Sequence, residues 1–131
     1  MTRTVVDTNI LVSALLSPSG NPAKVYRMFL TGILTLVYSE DILTEYQDVL
    51  YRPRLGIPHD DADIVLTAIR QHGVKTEPFS SAEPFADEDD RVFYDVAKHS
   101  GAYLVTGNIK HFPKEPFILA PAQFLELLNS L

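Results

Sequence analysis

The chain has 131 residues, 46% of them hydrophobic and 21% charged, enough for one domain with a real core; a disordered chain is excluded. It has no cysteine, which rules out disulfides, thiolate zinc sites and cysteine nucleophiles. The formal net charge of −6 is unfavourable for binding phosphates, but acids gathered around a cation lose much of their charge, so the local field decides.

Residues 3–7 read as a buried strand running into Asp7-Thr8-Asn9, with Thr8 or Asn9 capping a helix over Ile10 to Leu16. Met1-Thr2-Arg3-Thr4 enters this strand with no signal peptide, and no segment approaches the roughly 20 apolar residues of a membrane span, so a cytoplasmic protein with no membrane partner is expected. A loop follows at 17–22, and Pro22 opens a helix to about Leu30 with Val25, Met28 and Phe29 on its apolar face. Gly32 stops it. Ile33 to Tyr38 is a second buried strand. Ser39 caps the next helix, where Ile42, Leu43, Tyr46, Val49 and Leu50 recur at helical spacing until Pro53 ends it.

Pro58 to Ala62 opens a helix through about His72, closed by Gly73 as a terminal glycine. A short strand at Val74 to Pro78 and a loop at 79–85 come next. Asp87 caps a helix over 87–99, with Val92, Phe93, Val96 and Ala97 facing inward and Gly101 ending it. Ala102 to Thr106 is an apolar strand ending in Gly107-Asn108. Phe117 to Leu119 adds a last strand, and Pro121 to Leu128 a closing helix. Strands alternating with helices predict one α/β domain over 1–131, a three-layer α/β/α sandwich on a mainly parallel sheet of four or five strands.

Ligands gather at the carboxyl ends of strands in such sheets, and the polar clusters fall there. Asp7 is either a cap and turn former or a ligand for a hard cation. Glu45 is either a solvated edge residue of its helix or a second ligand, if that edge overhangs the Asp7 strand end. Glu40 and Asp41 are explained as first-turn acids. Asp87-Glu88-Asp89-Asp90 can cap a helix, Asp87 and Asp90 resembling a capping box, yet four adjacent charges exceed what capping needs. Asp90 is the best placed to face a site. Asp95 lies about 140° further round the helix and should not share a ligand with it.

Thr106-Gly107-Asn108 is either turn chemistry, or Asn108 holds a metal-bound water while Thr106 orients a carboxylate. Among the basic residues, Arg52, Arg54, Lys110 and Lys114 are candidates for gripping a phosphodiester backbone, with ordinary surface charge the alternative. His59, His72, His99 and His111 lack HxxxH or HxH spacing, and there is no Walker loop, GxSxG or GxGxxG. Several carboxylates meeting at one strand mouth would repel one another unless a hard divalent cation lay between them, so the clusters point to a magnesium or manganese site with a phosphodiester substrate.

Together VVDTNILVSAL (5–15), SEDILTEYQDVLYRPRLG (39–56), DEDDRVFYDVAKHSGAYLVTGN (87–108) and KHFP (110–113) resemble a PIN domain, and most closely the VapC-like toxin components of bacterial toxin–antitoxin pairs. The resemblance spans nearly the whole chain. It implies an endoribonuclease with an acidic site for one or two Mg²⁺ or Mn²⁺ ions, built from Asp7, Glu45 and Asp90, with Asp87 as a substitute for the third acid. Asn108 stands where relatives commonly have aspartate. Asn9 and Thr106 match the small polar residues that support the cluster. RNA as substrate, a homodimer and an antitoxin protein that covers the site are further implications.

Two other readings compete. Asn108 in the fourth place favours a degenerate PIN fold that binds RNA or protein without cutting. A phosphatase with its nucleophile at Asp7 would need a second aspartate two residues on, where Asn9 stands.

Overall fold

A computed structural model describes residues 2–78 and 80–130; Met1, Phe79 and Leu131, and so part of the expected 79–85 loop, lie outside them. Among the described residues, five strands form one sheet: β1 (Thr2–Val6), β2 (Leu34–Tyr38), β3 (Val74–Lys75), β4 (Tyr103–Val105) and β5 (Ile118–Leu119). Their order is β3-β2-β1-β4-β5 and every pairing is parallel, so the sheet is wholly rather than mainly parallel. Thr4, Val5 and Val6 are all buried, as are Leu36, Val37 and Tyr38. Successive strand residues point to opposite faces, so burial of both parities means both faces are covered. This is the expected α/β sandwich.

Among the described residues, six α-helices cover the sheet. α1 spans Thr8–Leu16, α2 Asn21–Leu30, α3 Glu40–Leu50, α4 His59–His72, α5 Arg91–Ser100 and α6 Pro121–Asn129. α5 lies on β1, β2 and β4, while α2 packs against β2, α1 and α6. The centre is closed by Val5, Ile42, Val96, Leu104 and Phe124, each 0% exposed. Two buried tyrosines place their hydroxyls on partners: Tyr46 donates to the Val6 carbonyl (2.5 Å) and Tyr94 to Glu115 Oε2 (2.6 Å).

Several boundaries differ from the sequence expectation. α1 begins two residues early because Asp7, not Thr8 or Asn9, is the cap: its carboxylate accepts the Thr8 N–H at 2.8 Å. Ser39 does cap α3, accepting the Ile42 N–H at 3.2 Å. The acidic segment is not one helix from 87. Asp87 takes the Asp89 N–H on its own side chain at 3.0 Å, which tightens Glu88–Asp90 into a 3₁₀ turn and delays α5 to Arg91. No capping box joins Asp87 to Asp90.

Gly73 is not a left-handed terminator, since its φ is −77°. A Cβ there would stand 2.6 Å from the Ile69 carbonyl and 3.1 Å from that of Leu36, so glycine is required by the close approach of α4 to β2. β3 keeps only two of the five expected residues; one further ladder bond, Thr76 N–H to the Tyr38 carbonyl, precedes Pro78, which has no N–H to give.

Candidate active site at the mouth of the sheet

β1 lies between β2 and β4, and the chain winds outward to β3 before returning to β4 on the other side. That makes β1/β4 the switch point, where the loops diverge and leave a crevice at the carboxyl ends. The register pairs Val6 with Val105, so the next residues, Asp7 and Thr106, emerge together at its floor. The Asp7 N–H donates to the Val105 carbonyl at 2.9 Å, which fixes the spot.

Asp7 is 7% exposed and both its oxygens are engaged. Oδ1 accepts the Thr8 N–H, and Oδ2 accepts the Thr106 hydroxyl at 2.7 Å. Thr106, wholly buried, also accepts the Asn108 N–H at 3.0 Å, so one side chain ties the carboxylate to the turn after β4. On the far side, the Thr8 hydroxyl donates to Glu45 Oε2 at 3.1 Å. α1 and α3 thereby bring Glu45, in the second turn of α3, to the same mouth as Asp7.

Asp90 ends the 3₁₀ turn with its side chain 17% exposed. Burial foremost, then the charges of Asp7 and Asp87, push its carboxyl up to about 6, against the pull of His111. Asp7 is raised as well, by burial, with the Thr106 and Thr8 bonds opposing the rise. Glu45 is raised by burial first, while Thr8 and Arg52 draw it back and Asp89 adds to it. All three acids from distant parts of the chain therefore sit where their charged forms are disfavoured. Of the pair Asp87 and Asp90, Asp90 is the half-buried one that feels Asp7, and Asp87 is an exposed turn former.

Among the described residues, no three carboxylate or imidazole side chains stand close enough together to enclose a metal ion as they lie. The donor set nevertheless suits Mg²⁺ or Mn²⁺. It offers hard carboxylate oxygens of raised proton affinity, which a divalent cation relieves. The Asn9 amide oxygen beside them is buried without a hydrogen-bond partner, and the amide rests on Gly107, where a Cβ would come within 3.7 Å of its nitrogen.

Other candidate residues divide. The Asn108 side chain is exposed, and what the fold uses is its backbone N–H. Arg52 pairs with Asp48 at 2.9 Å. Arg54 is exposed in a 3₁₀ turn, Pro53–Leu55. Lys110 lines a cleft with Asp87 and Asp90, whereas Lys114 lines a neighbouring cleft that contains neither acid. Asp95, 6% exposed, faces away from the mouth and accepts the Ser81 N–H at 3.1 Å.

Sequence reasoning passed over Thr8, which bridges the two acids, and His111, whose Nδ1 lies 3.9 Å from Asp90 Oδ2. The signals for His111 were its place three residues after Asn108 and its membership of the KHFP segment at 110–113. Among the described residues no helix is long and apolar enough to cross a membrane.

An α/β protein with an acidic crevice at the switch point of a parallel sheet is thus defined by geometry alone. The sequence matches the PIN domain over residues 3–110, and the chain belongs to that family. PIN domains are generally nucleases, hydrolases of phosphodiester bonds, and typically use divalent metals. The chain is also similar to an uncharacterized protein of Methanocaldococcus jannaschii, 30% identical over 109 residues that cover 81% of this chain and 70% of that protein.

Proposed function

We propose that the protein is a Mg²⁺- or Mn²⁺-dependent endoribonuclease, the toxin of a toxin–antitoxin pair acting in the cytoplasm. The observation that carries this reading is the convergence on one strand mouth of Asp7, Glu45 and Asp90, the first two joined through Thr8 and the third feeling the charge of Asp7. These three acids would hold the cation. When bound, it lowers the pKa of an attacking water and offsets charge building on phosphorus.

The remaining steps belong to the chain. Thr106 and the Thr8 N–H hold Asp7 in one orientation, so its carboxylate needs no rearrangement as the substrate arrives. The unpartnered oxygen of Asn9 is free to accept a hydrogen bond from water in the crevice. Water oxygen bonds to phosphorus as the P–O3′ bond opposite it breaks; the water gives up one proton to solvent and the departing 3′ oxygen takes one up. The products are a 3′-hydroxyl and a 5′-phosphate. Lys110, Lys114 and Arg54 are exposed for contact with RNA phosphates, and Arg52 can join them by leaving Asp48. Leu30 and Ile33, 53% and 56% exposed, supply apolar surface for a second copy or an antitoxin.

A labelled RNA incubated with Mn²⁺ tests the reading: wild type cleaves, and Asp7→Asn and Asp90→Asn lose activity by about a hundredfold or more. Equal cleavage by both variants would overturn it. The Asn108 side chain favours one alternative, a non-cutting RNA- or protein-binding module; no heat of Mn²⁺ binding up to millimolar metal would select that alternative. Growth arrest on expression, relieved by the product of a short adjacent reading frame, tests the toxin role.

A further inference from the structure

Beside the acids lies a cleft of about 460 Å³ that shares Asp90 with the candidate site and also takes in Asp87. Its size falls within the roughly 300–1,000 Å³ typical of small-ligand sites. One wall carries Pro84 and Ala86, from the segment before the 3₁₀ turn. The other carries Phe112 and Pro113, from the segment after β4. Lys110 and His111 stand on its rim. Acids at one end, flat apolar walls and a cationic rim together match one nucleotide better than a free anion or a greasy molecule.

We infer that this cleft seats one unpaired nucleotide of the substrate strand next to the reacting phosphate, its base between the Pro84–Ala86 and Phe112–Pro113 walls and its own phosphate on Lys110 and His111. The inference rests on the nuclease reading and adds where the strand lies. Bases stack on aromatic side chains with little dependence on sequence, and Phe112 is the aromatic of this cleft, with Pro84, Ala86 and Pro113 adding apolar contact. A phosphate repelled by the acids finds its compensation at Lys110, which is exposed and lines this cleft. The His111 imidazole is 62% exposed and at 3.9 Å is too far from Asp90 for a hydrogen bond, so its N–H is not committed there.

The walls are held in advance. Arg91 donates to the Ser81 carbonyl (2.5 Å) and the Glu83 carbonyl (2.6 Å), and its guanidinium lies 5.0 Å over the Phe85 ring. Phe85 in turn meets Phe112 edge-on, with centroids 6.1 Å apart, so the two walls are braced against each other. A base locked in a duplex cannot enter such a cleft, and paired RNA should bind worse than single strands.

The test measures binding in EDTA, away from catalysis. A fluorescent single-stranded RNA of about ten nucleotides is titrated by anisotropy against wild type, Ala86→Trp, which fills the cleft from an exposed position, and Lys110→Gln. Ala86→Trp is expected to weaken binding about tenfold. Lys110→Gln should weaken it by about threefold or more and flatten the salt dependence by about one unit of slope. With Mn²⁺ present, both variants should raise KM more than they lower kcat.

Wild-type affinity in both variants would overturn the inference, and so would tighter binding of duplex than of single strands. If wild type cleaves, Asp90→Asn does not, and the two cleft variants keep wild-type KM and affinity, the cleft fails while the nuclease stands. If the cleft variants lose RNA in EDTA but wild type leaves the RNA uncut with Mn²⁺ present, the nuclease fails while the cleft stands.

Discussion

Asp90 is placed where folding would rather have a neutral group. Its carboxyl is raised from 3.8 to about 6, by burial first and by Asp7 and Asp87 next. The folded protein therefore binds this proton more tightly than the unfolded chain does. The stabilisation that follows is complete below about pH 4 and is lost as pH rises through about 6. At pH 8 the charged form is a net strain, so Asp90→Asn should melt higher than wild type by about 3–5 °C once solvent screening is allowed for. The gap should close by pH 4. Melting curves at the two pH values check this, and the same variant should show the hundredfold or greater loss of cleavage already expected of it. Thr106→Val makes the opposite kind of change. It keeps the shape but removes the hydroxyl between Asp7 and the Asn108 N–H, and should cost about 1–3 kcal/mol in urea unfolding.

At the scale of elements, α5 organises the site through its first residue. Arg91 binds two backbone carbonyls of the preceding segment, and Asp95 holds the Ser81 N–H from one turn further on. Its pairing with Glu88, whose side chain is 70% exposed, adds little. Arg91→Ala should free residues 80–87, so limited proteolysis is expected to cut there about tenfold faster while the sheet stays protected. Cleavage starting elsewhere, or at the wild-type rate, would refute the bracing role. The strands around it were legible because β-branched runs buried on both faces leave a continuous apolar signature. α3 was legible from Ser39 and helical spacing. The 3₁₀ turn at Glu88–Asp90 was not, because a side chain outbidding the helix for one N–H leaves no periodicity. Gly73 was seen as a stop, but its reason, contact with β2, is tertiary. The same holds for Asp95 and His111, whose roles depend on segments 14 residues away or on a neighbouring turn.

For the molecule as a whole, the sheet concentrates charge. A chain of net charge −6 brings Asp7, Glu45 and Asp90 to one end, and Asp87 and Asp89 lie close enough to raise Asp90 further. The unfolded chain spreads these charges out, so self-repulsion acts on the folded state alone. A cation bound at the mouth would reverse that term, and by linkage would stabilise only the folded form. At a metal concentration about 100 times the Kd the gain is about 2.7 kcal/mol, a rise of about 5–10 °C in Tm for a chain of this length. Mn²⁺ should produce that rise in wild type, EDTA should abolish it, and Asp7→Asn should show little of it. Potassium chloride at matched ionic strength separates the site from general screening, since screening lowers repulsion between any of the exposed acids. A rise of equal size in Asp7→Asn, or one that salt reproduces, would mean that the acids relax without a specific ion, and the metal-dependent reading would lose its physical basis.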